Sequence, residues 1–223
     1  MTGGDSRSSD GAAPASAGVV AIVLAAGAST RMGRPKALLD YAGESALARI
    51  AHTSAAAGLP PPLVVVGFDG EVVRAEAERC GCRVVVNPEP GRGQTSSLQV
   101  GIAALAADAS GFLIWPVDAP LVSPQTLRAL LAVSGAPEVV LPSHHGRRGH
   151  PAFVAAALRA RLAALAPDEP ASRVIAGQGH GIIEVDVDDP HVLDRINTPA
   201  EHAAVAATVR AQETSCNETS PAS

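Results

Sequence analysis

Short apolar runs separated by stretches of helical spacing constrain this chain more than any other feature. The runs Val19 to Leu24, Leu63 to Gly67, Arg83 to Val86 and Phe112 to Val117 are bounded by turn residues, which predicts strands. Between them the spacing predicts helices over Ala46 to Ala57, Val72 to Cys80, Ser96 to Ala106 and Pro124 to Val133, the last with Ser123 as N-cap and Pro124 in the first helical position. Strands alternating with helices imply right-handed crossovers and a mainly parallel sheet. Aromatic residues make up only 2% of the chain, so Ala, Val, Leu and Ile must build the core, as suits buried parallel strands under Ala-rich helices. The expected class is α/β, with a Rossmann-like sheet between two helical layers.

The 223 residues, 47% of them hydrophobic, are enough for one such domain and are assigned to it over 18–212. Residues 1–17 and 213–223 lack periodicity and read as disordered tails. After a run at Val139 to Leu141 the rhythm loosens. Residues 143–181 read as a polar turn, a short strand at Ala152 to Val154 and one or two helices, before a strand at Ile182 to Val187 and a closing helix from Pro199. The acidic run Glu184, Asp186, Asp188 and Asp189 alternates with apolar residues and reads as the wet face of a strand. The net charge of −5, from 17 basic against 22 acidic residues, comes with no dense basic run and argues against a nucleic-acid partner. Cys80, Cys82 and Cys216 make neither a disulfide set nor a zinc spacing, which fits a reducing cytoplasm. Asp5 and Asp10 outnumber Arg7 ahead of the first apolar stretch, unlike a signal peptide, and no run approaches the roughly 20 residues needed to span a membrane.

The strongest local signal, Leu24-Ala25-Ala26-Gly27-Ala28-Ser29-Thr30-Arg31-Met32-Gly33-Arg34-Pro35-Lys36, begins as the first strand ends, where open α/β sheets bind ligands. Small residues let backbone N–H groups approach phosphate oxygens, while Arg31 and Lys36 neutralise a triphosphate. The string is neither a Walker A loop nor a G-x-G-x-x-G fingerprint. An ordinary Gly-rich loop with exposed basic residues also satisfies it. A second stretch, Asn87 to Leu98, leads from a strand into a helix and converges N–H groups and hydroxyls, with Thr95 or Ser96 as an expected cap. Asp118 follows an apolar strand in Trp115-Pro116-Val117-Asp118-Ala119-Pro120 and is not needed as a cap, because Ser123 fills that role. A surface turn would tolerate it. A hard cation sharing phosphate and water oxygens, Mg²⁺ or Mn²⁺, gives the carboxylate a partner. His150, before Pro151, reads locally as a turn residue, and Thr198-Pro199 as a helix start.

Together these strings resemble the MobA-like nucleotidyltransferases, in particular the molybdenum-cofactor cytidylyltransferases. The resemblance spans roughly residues 19–204 and implies the nucleotide-diphospho-sugar transferase type of fold. It implies that Leu24, Ala25, Ala26, Gly27, Arg31 and Lys36 hold a nucleoside triphosphate, with Asn87, Gly93 and Ser97 helping. Asp118 would ligate the metal, Asn197 would complete its shell where the cytidylyl branch more often has Asp, and His150 would donate to the acceptor phosphate. Catalysis would rest on Arg31, Lys36 and Asp118. Ala26, where the guanylyl branch usually has Gly, leans the reading toward CTP. The implied reaction transfers CMP to a phosphorylated small acceptor, molybdopterin first, with an acceptor pocket in about 143–181. A molybdenum enzyme or its maturation factor would receive the product. Guanylylation, a phospholactate, isoprenoid or sugar-phosphate acceptor, and a carrier without turnover are the alternatives.

Overall fold

The computed structural model describes residues 18–133, 137–166, 168–177 and 181–218. Its first strand, β1 (Val19–Ala25), leads through a loop and the short helical turn Lys36–Leu38 into a hairpin of β2 (Asp40–Tyr41) and β3 (Glu44–Ser45), then α1 (Ala46–Ala56). Next come β4 (Leu63–Val66), α2 (Gly70–Arg79), β5 (Arg83–Val86), α3 (Gln94–Ala103), β6 (Gly111–Pro116) and α4 (Pro124–Ala132). The remainder is β7 (Val139–His144), β8 (Arg147–Arg148), β9 (Ala152–Ala155), α5 (Arg159–Ala163), α6 (Ser172–Ile175), β10 (Ile182–Asp186) and α7 (Pro199–Glu218). The main sheet runs β10-β7-β9-β6-β1-β4-β5, with β8 paired to β7.

The sheet is mixed and mainly parallel, and the arrangement is the expected three-layer α/β/α. Alternation along β1 divides the core: Val19, Ala21 and Val23 face α1, α2 and α4 through Leu47, Ile50, Val73 and Leu127. Ile22 and Leu24 face α3, α5 and α6 through Leu98, Ile102, Leu162 and Val174. The departures from a parallel sheet are the short β8, antiparallel to β7, and β9, which is antiparallel to both β6 and β7. Gly111 makes room for β9: a Cβ there would meet the Phe153 ring at 2.6 Å.

The chain moves from β1 outward to β4 and β5, then returns to the other side of β1 as β6. Loops leaving the carboxyl ends of β1 and β6 therefore diverge, and such a switch point opens a crevice. Ser123 caps α4 as expected, accepting a hydrogen bond from Thr126 N–H. One boundary differs from the sequence reading. The tail expected from residue 213 is helical through Glu218, while the tail expected over 1–17 lies outside the described residues. Asp189, expected on a wet face, is buried, accepting from the Ser123 N–H at 2.8 Å and the Thr126 hydroxyl at 2.7 Å. Among the described residues no helix is long and apolar enough to cross a membrane.

Candidate active site

A cleft of about 580 Å³ opens at the switch point between β1 and β6. The β1 loop forms one wall. Ser29, in left-handed conformation at φ 48°, turns the chain so that its carbonyl accepts from Met32 N–H and Gly33 N–H, and its hydroxyl accepts from Lys36 N–H at 3.3 Å. A serine in this conformation is uncommon and marks a loop whose shape is dictated by what it positions. It delivers Lys36 across the crevice. Gly67 permits the walls to close: a Cβ there would lie 2.6 Å from the Ala26 carbonyl oxygen and 2.8 Å from Pro90 Cβ.

On the other wall, the Trp115 indole N–H donates to the Ala119 carbonyl at 2.8 Å and pins the turn carrying Asp118. The Asp118 carbonyl accepts from Ile196 N–H at 3.3 Å, bringing the segment before α7 alongside. Lys36 Nζ donates to Asn197 Oδ1 at 2.7 Å and reaches Asp118 Oδ2 at 3.4 Å. Asn197 Nδ2 donates to the Arg195 carbonyl at 2.8 Å, which turns its oxygen toward Lys36. Below, Glu201 Oε2 accepts from Asn197 N–H and Thr198 N–H while Thr198 Oγ1 accepts from Glu201 N–H, a reciprocal cap that starts α7.

Leu24, Ala25, Ala26, Gly27, Arg31, Lys36, Gly93, Ser97, Asp118 and Asn197 all line the cleft. Two expected site residues do not. Asn87 is buried behind the wall, where its Nδ2 donates to both Ser96 Oγ and Ser97 Oγ at 2.9 Å. Its place is that of a support: once the Ser97 oxygen accepts this bond, the hydroxyl hydrogen is left to donate into the cleft. His150 is also outside the lining, held where its backbone N–H donates to the Val192 carbonyl at 2.8 Å. Its ring Nδ1 is buried without a hydrogen-bond partner among the described residues, and burial, then the nearby Arg195 charge, depress its pKa against the opposing pull of Asp118. Among the described residues, none in 143–181 lines the cleft.

Neither Thr95 nor Ser96 caps α3. Gly93, at φ 95°, precedes its first residue, and Thr95 Oγ1 instead donates to the Glu169 carbonyl at 2.6 Å. Sequence reasoning missed Phe68, 56% exposed at the cleft, whose position just past the carboxyl end of β4 was the available signal. Tyr41, on the β2–β3 hairpin, lies outside the cleft lining in the core cluster beneath α7, and its hydroxyl pKa is raised by burial first and by the charges of Asp194 and Asp118.

The donor chemistry suits a hard divalent cation: a carboxylate oxygen and an amide oxygen converge on one positive group. Among the described residues no group of three or more His, Cys, Asp or Glu could hold a metal. Phosphate and water oxygens would have to supply the remaining ligands.

Residues 21–182 match the model of the MobA-like NTP transferase domain. Nicotine blue oxidoreductase of Paenarthrobacter nicotinovorans is 33% identical over 189 residues, 81% of this chain and 92% of that protein. Rv0371c of Mycobacterium tuberculosis H37Rv superposes with a TM-score of 0.76 at 28% identity, over 84% of this chain and 98% of that one. Its manganese complex superposes at 0.73 and 26% identity, over 85% and 98%. The CTP complex of CMP:2-keto-3-deoxy-manno-octonic acid synthetase shares the fold at 16% identity and a TM-score of 0.68, over 87% and 99%. The sheet, its switch-point cleft and the matched sequence thus agree: this chain belongs to the MobA-like NTP transferase family.

Proposed function

We propose that this protein transfers CMP from CTP to the phosphate of a small acceptor, molybdopterin being the favoured one, and releases pyrophosphate. The observation that carries the reading is the convergence of Lys36, Asp118 and Asn197 in a cleft whose β1 loop presents the small residues Ala25 to Ser29 beside Arg31. An acceptor phosphate oxygen attacks the α-phosphorus in line, one P–O bond forming as the bond to the β-phosphate oxygen breaks. The acceptor phosphate is largely ionised near neutral pH, so no general base is required. Arg31, Lys36 and the loop N–H groups bind the triphosphate and stabilise the charge passing to the leaving pyrophosphate. Gly93 and the Ser97 hydroxyl line the opposite wall, and the Phe68 ring offers a face to the base. A divalent cation held by Asp118 and Asn197 would supply further charge neutralisation; the manganese complex of Rv0371c supports a divalent metal, and the two residues are chosen on the convergence of their oxygens. His150 lies close enough to feel the Asp118 charge and is proposed to meet the acceptor from the 143–181 side. A cytoplasmic site of action and delivery to a molybdenum enzyme or its maturation factor belong to the same proposal.

Calorimetry with CTP, GTP, ATP and UTP in the presence of Mg²⁺, repeated on Asp118→Asn, tests the nucleotide. CTP preference weakened by the substitution supports the reading, whereas GTP preference moves it to the guanylyl branch. Pyrophosphate release with acceptor present then separates an enzyme from a carrier. A second reading has its own observation: the relative matching 81% of this chain is named an oxidoreductase. A dinucleotide reductant carries a pyrophosphate that the same cleft would accept, so oxidation of a nicotinamide cofactor without pyrophosphate release would favour it.

A further inference from the structure

Lys36 touches both oxygen donors of the cleft, at 2.7 Å from Asn197 and 3.4 Å from Asp118. The side chains of Lys36 and Asp118 are only 18% and 23% exposed, so water screens charge there incompletely. We propose that Lys36 is a resident substitute for the divalent cation, holding the Asp118 and Asn197 oxygens until a triphosphate draws its ammonium away. Metal and nucleotide then bind as a coupled pair. The inference deepens the triphosphate-site reading above and rests on it.

A divalent ion arriving alone at these oxygens meets a positive charge already seated on them. The ammonium, if displaced, exchanges both oxygen partners for water and gains no new charged partner from the metal. A triphosphate changes that balance, because its oxygens give the ammonium a stronger partner on the same wall. Lys36 is built for such a move. Its backbone is fixed by the Ser29 hydroxyl and by the helical turn Lys36–Leu38, while its four-carbon stem carries a compact, freely rotating charge. Linkage makes the coupling reciprocal: whatever factor the nucleotide adds to metal affinity, the metal adds to nucleotide affinity.

The test is Mn²⁺ binding to the nucleotide-free full chain, read as the loss of the free-ion electron paramagnetic resonance signal, for wild type, Lys36→Met and Lys36→Arg. Lys36→Met is expected to bind Mn²⁺ at least about tenfold more tightly than wild type, equivalent to about 1.4 kcal/mol. It should also lose most of the tightening that CTP produces in wild type. Lys36→Arg, which keeps the charge, should stay near wild type, and adding Asp118→Asn to Lys36→Met should abolish the gain. An unchanged or weaker affinity in Lys36→Met, with wild-type binding measurable, overturns the proposal and leaves the transferase reading standing. Absence of Mn²⁺ binding by every variant, with and without CTP, overturns it together with the metal assignment of Asp118 and Asn197. Failure of turnover is read separately, as pyrophosphate release, and bears on the proposed function alone.

Discussion

The two halves of the sheet are built by different rules. From β5 to β6 the strands are parallel, successive strands are joined through crossover helices, and the contacts between layers are mainly aliphatic. From β9 to β10 an antiparallel strand is inserted, β7, β8 and β9 follow one another through short turns, the segment between β9 and β10 carries α5 and α6, and the buried Asp189 carboxylate holds the start of α4. The first half tolerates description by hydrophobic period; the second depends on individual atoms. The cleft lies along the seam, so each half contributes to it through a different kind of constraint.

The largest effect should come from the seam itself. Asp118→Ala is expected to cut pyrophosphate release on the order of 10³-fold while leaving the thermal midpoint nearly unchanged, because Trp115 and Ile196 hold the turn through backbone oxygens. Asp189→Ala strikes the atom-dependent half: it strips partners from the Ser123 N–H, the Thr126 hydroxyl and the His191 N–H, and should cost about 3 kcal/mol in urea unfolding. Comparable unfolding of wild type and variant would erase the contrast drawn between the halves.

Glycine substitutions sharpen it further. An alanine Cβ at Gly149 would sit 2.3 Å from the Val192 carbonyl oxygen, so Gly149→Ala should destabilise by about 2 kcal/mol. At Gly27 the added Cβ would meet nothing within 4 Å, so Gly27→Ala should fold normally and instead weaken triphosphate binding in calorimetry.

The smallest effect is electrostatic. The His191 pKa is raised by its hydrogen bond to Asp194, so its stabilising contribution is full below the usual value of 6.5 and fades as pH rises through the folded value. The His150 pKa is lowered by burial and Arg195, so its contribution is present above 6.5 and fades as pH falls through the folded value. Imidazole resonances followed by NMR should titrate on opposite sides of 6.5, and a His150 midpoint at or above it would contradict its seclusion.

Legibility followed the same divide. The strands β1, β4, β5 and β6 were readable because each is a short aliphatic run closed by turn residues, and Lys36 and Asp118 because both stand where such runs end. The β2–β3 hairpin was not readable: its turn uses Ala42 at φ 56° and Gly43 at φ 89°, and an alanine conceals a conformation normally announced by Asn or Asp. The strand pairing of β9 and the burial of Asp189 arise from partners distant in sequence, Gly111 and Thr126 among them, and no local pattern carries that information. Asn87 was recognised as part of the site, yet its place behind Ser97 is a matter of a bond direction.

The contact between Lys36 and Asn197 joins residues 161 positions apart, and Asn197 is held by the cap that begins α7. On the ribosome, then, the β1 loop and Asp118 emerge long before the residue that completes the cleft. A growing chain can fold its sheet and still present an unfinished cleft; docking of α7 is what completes it.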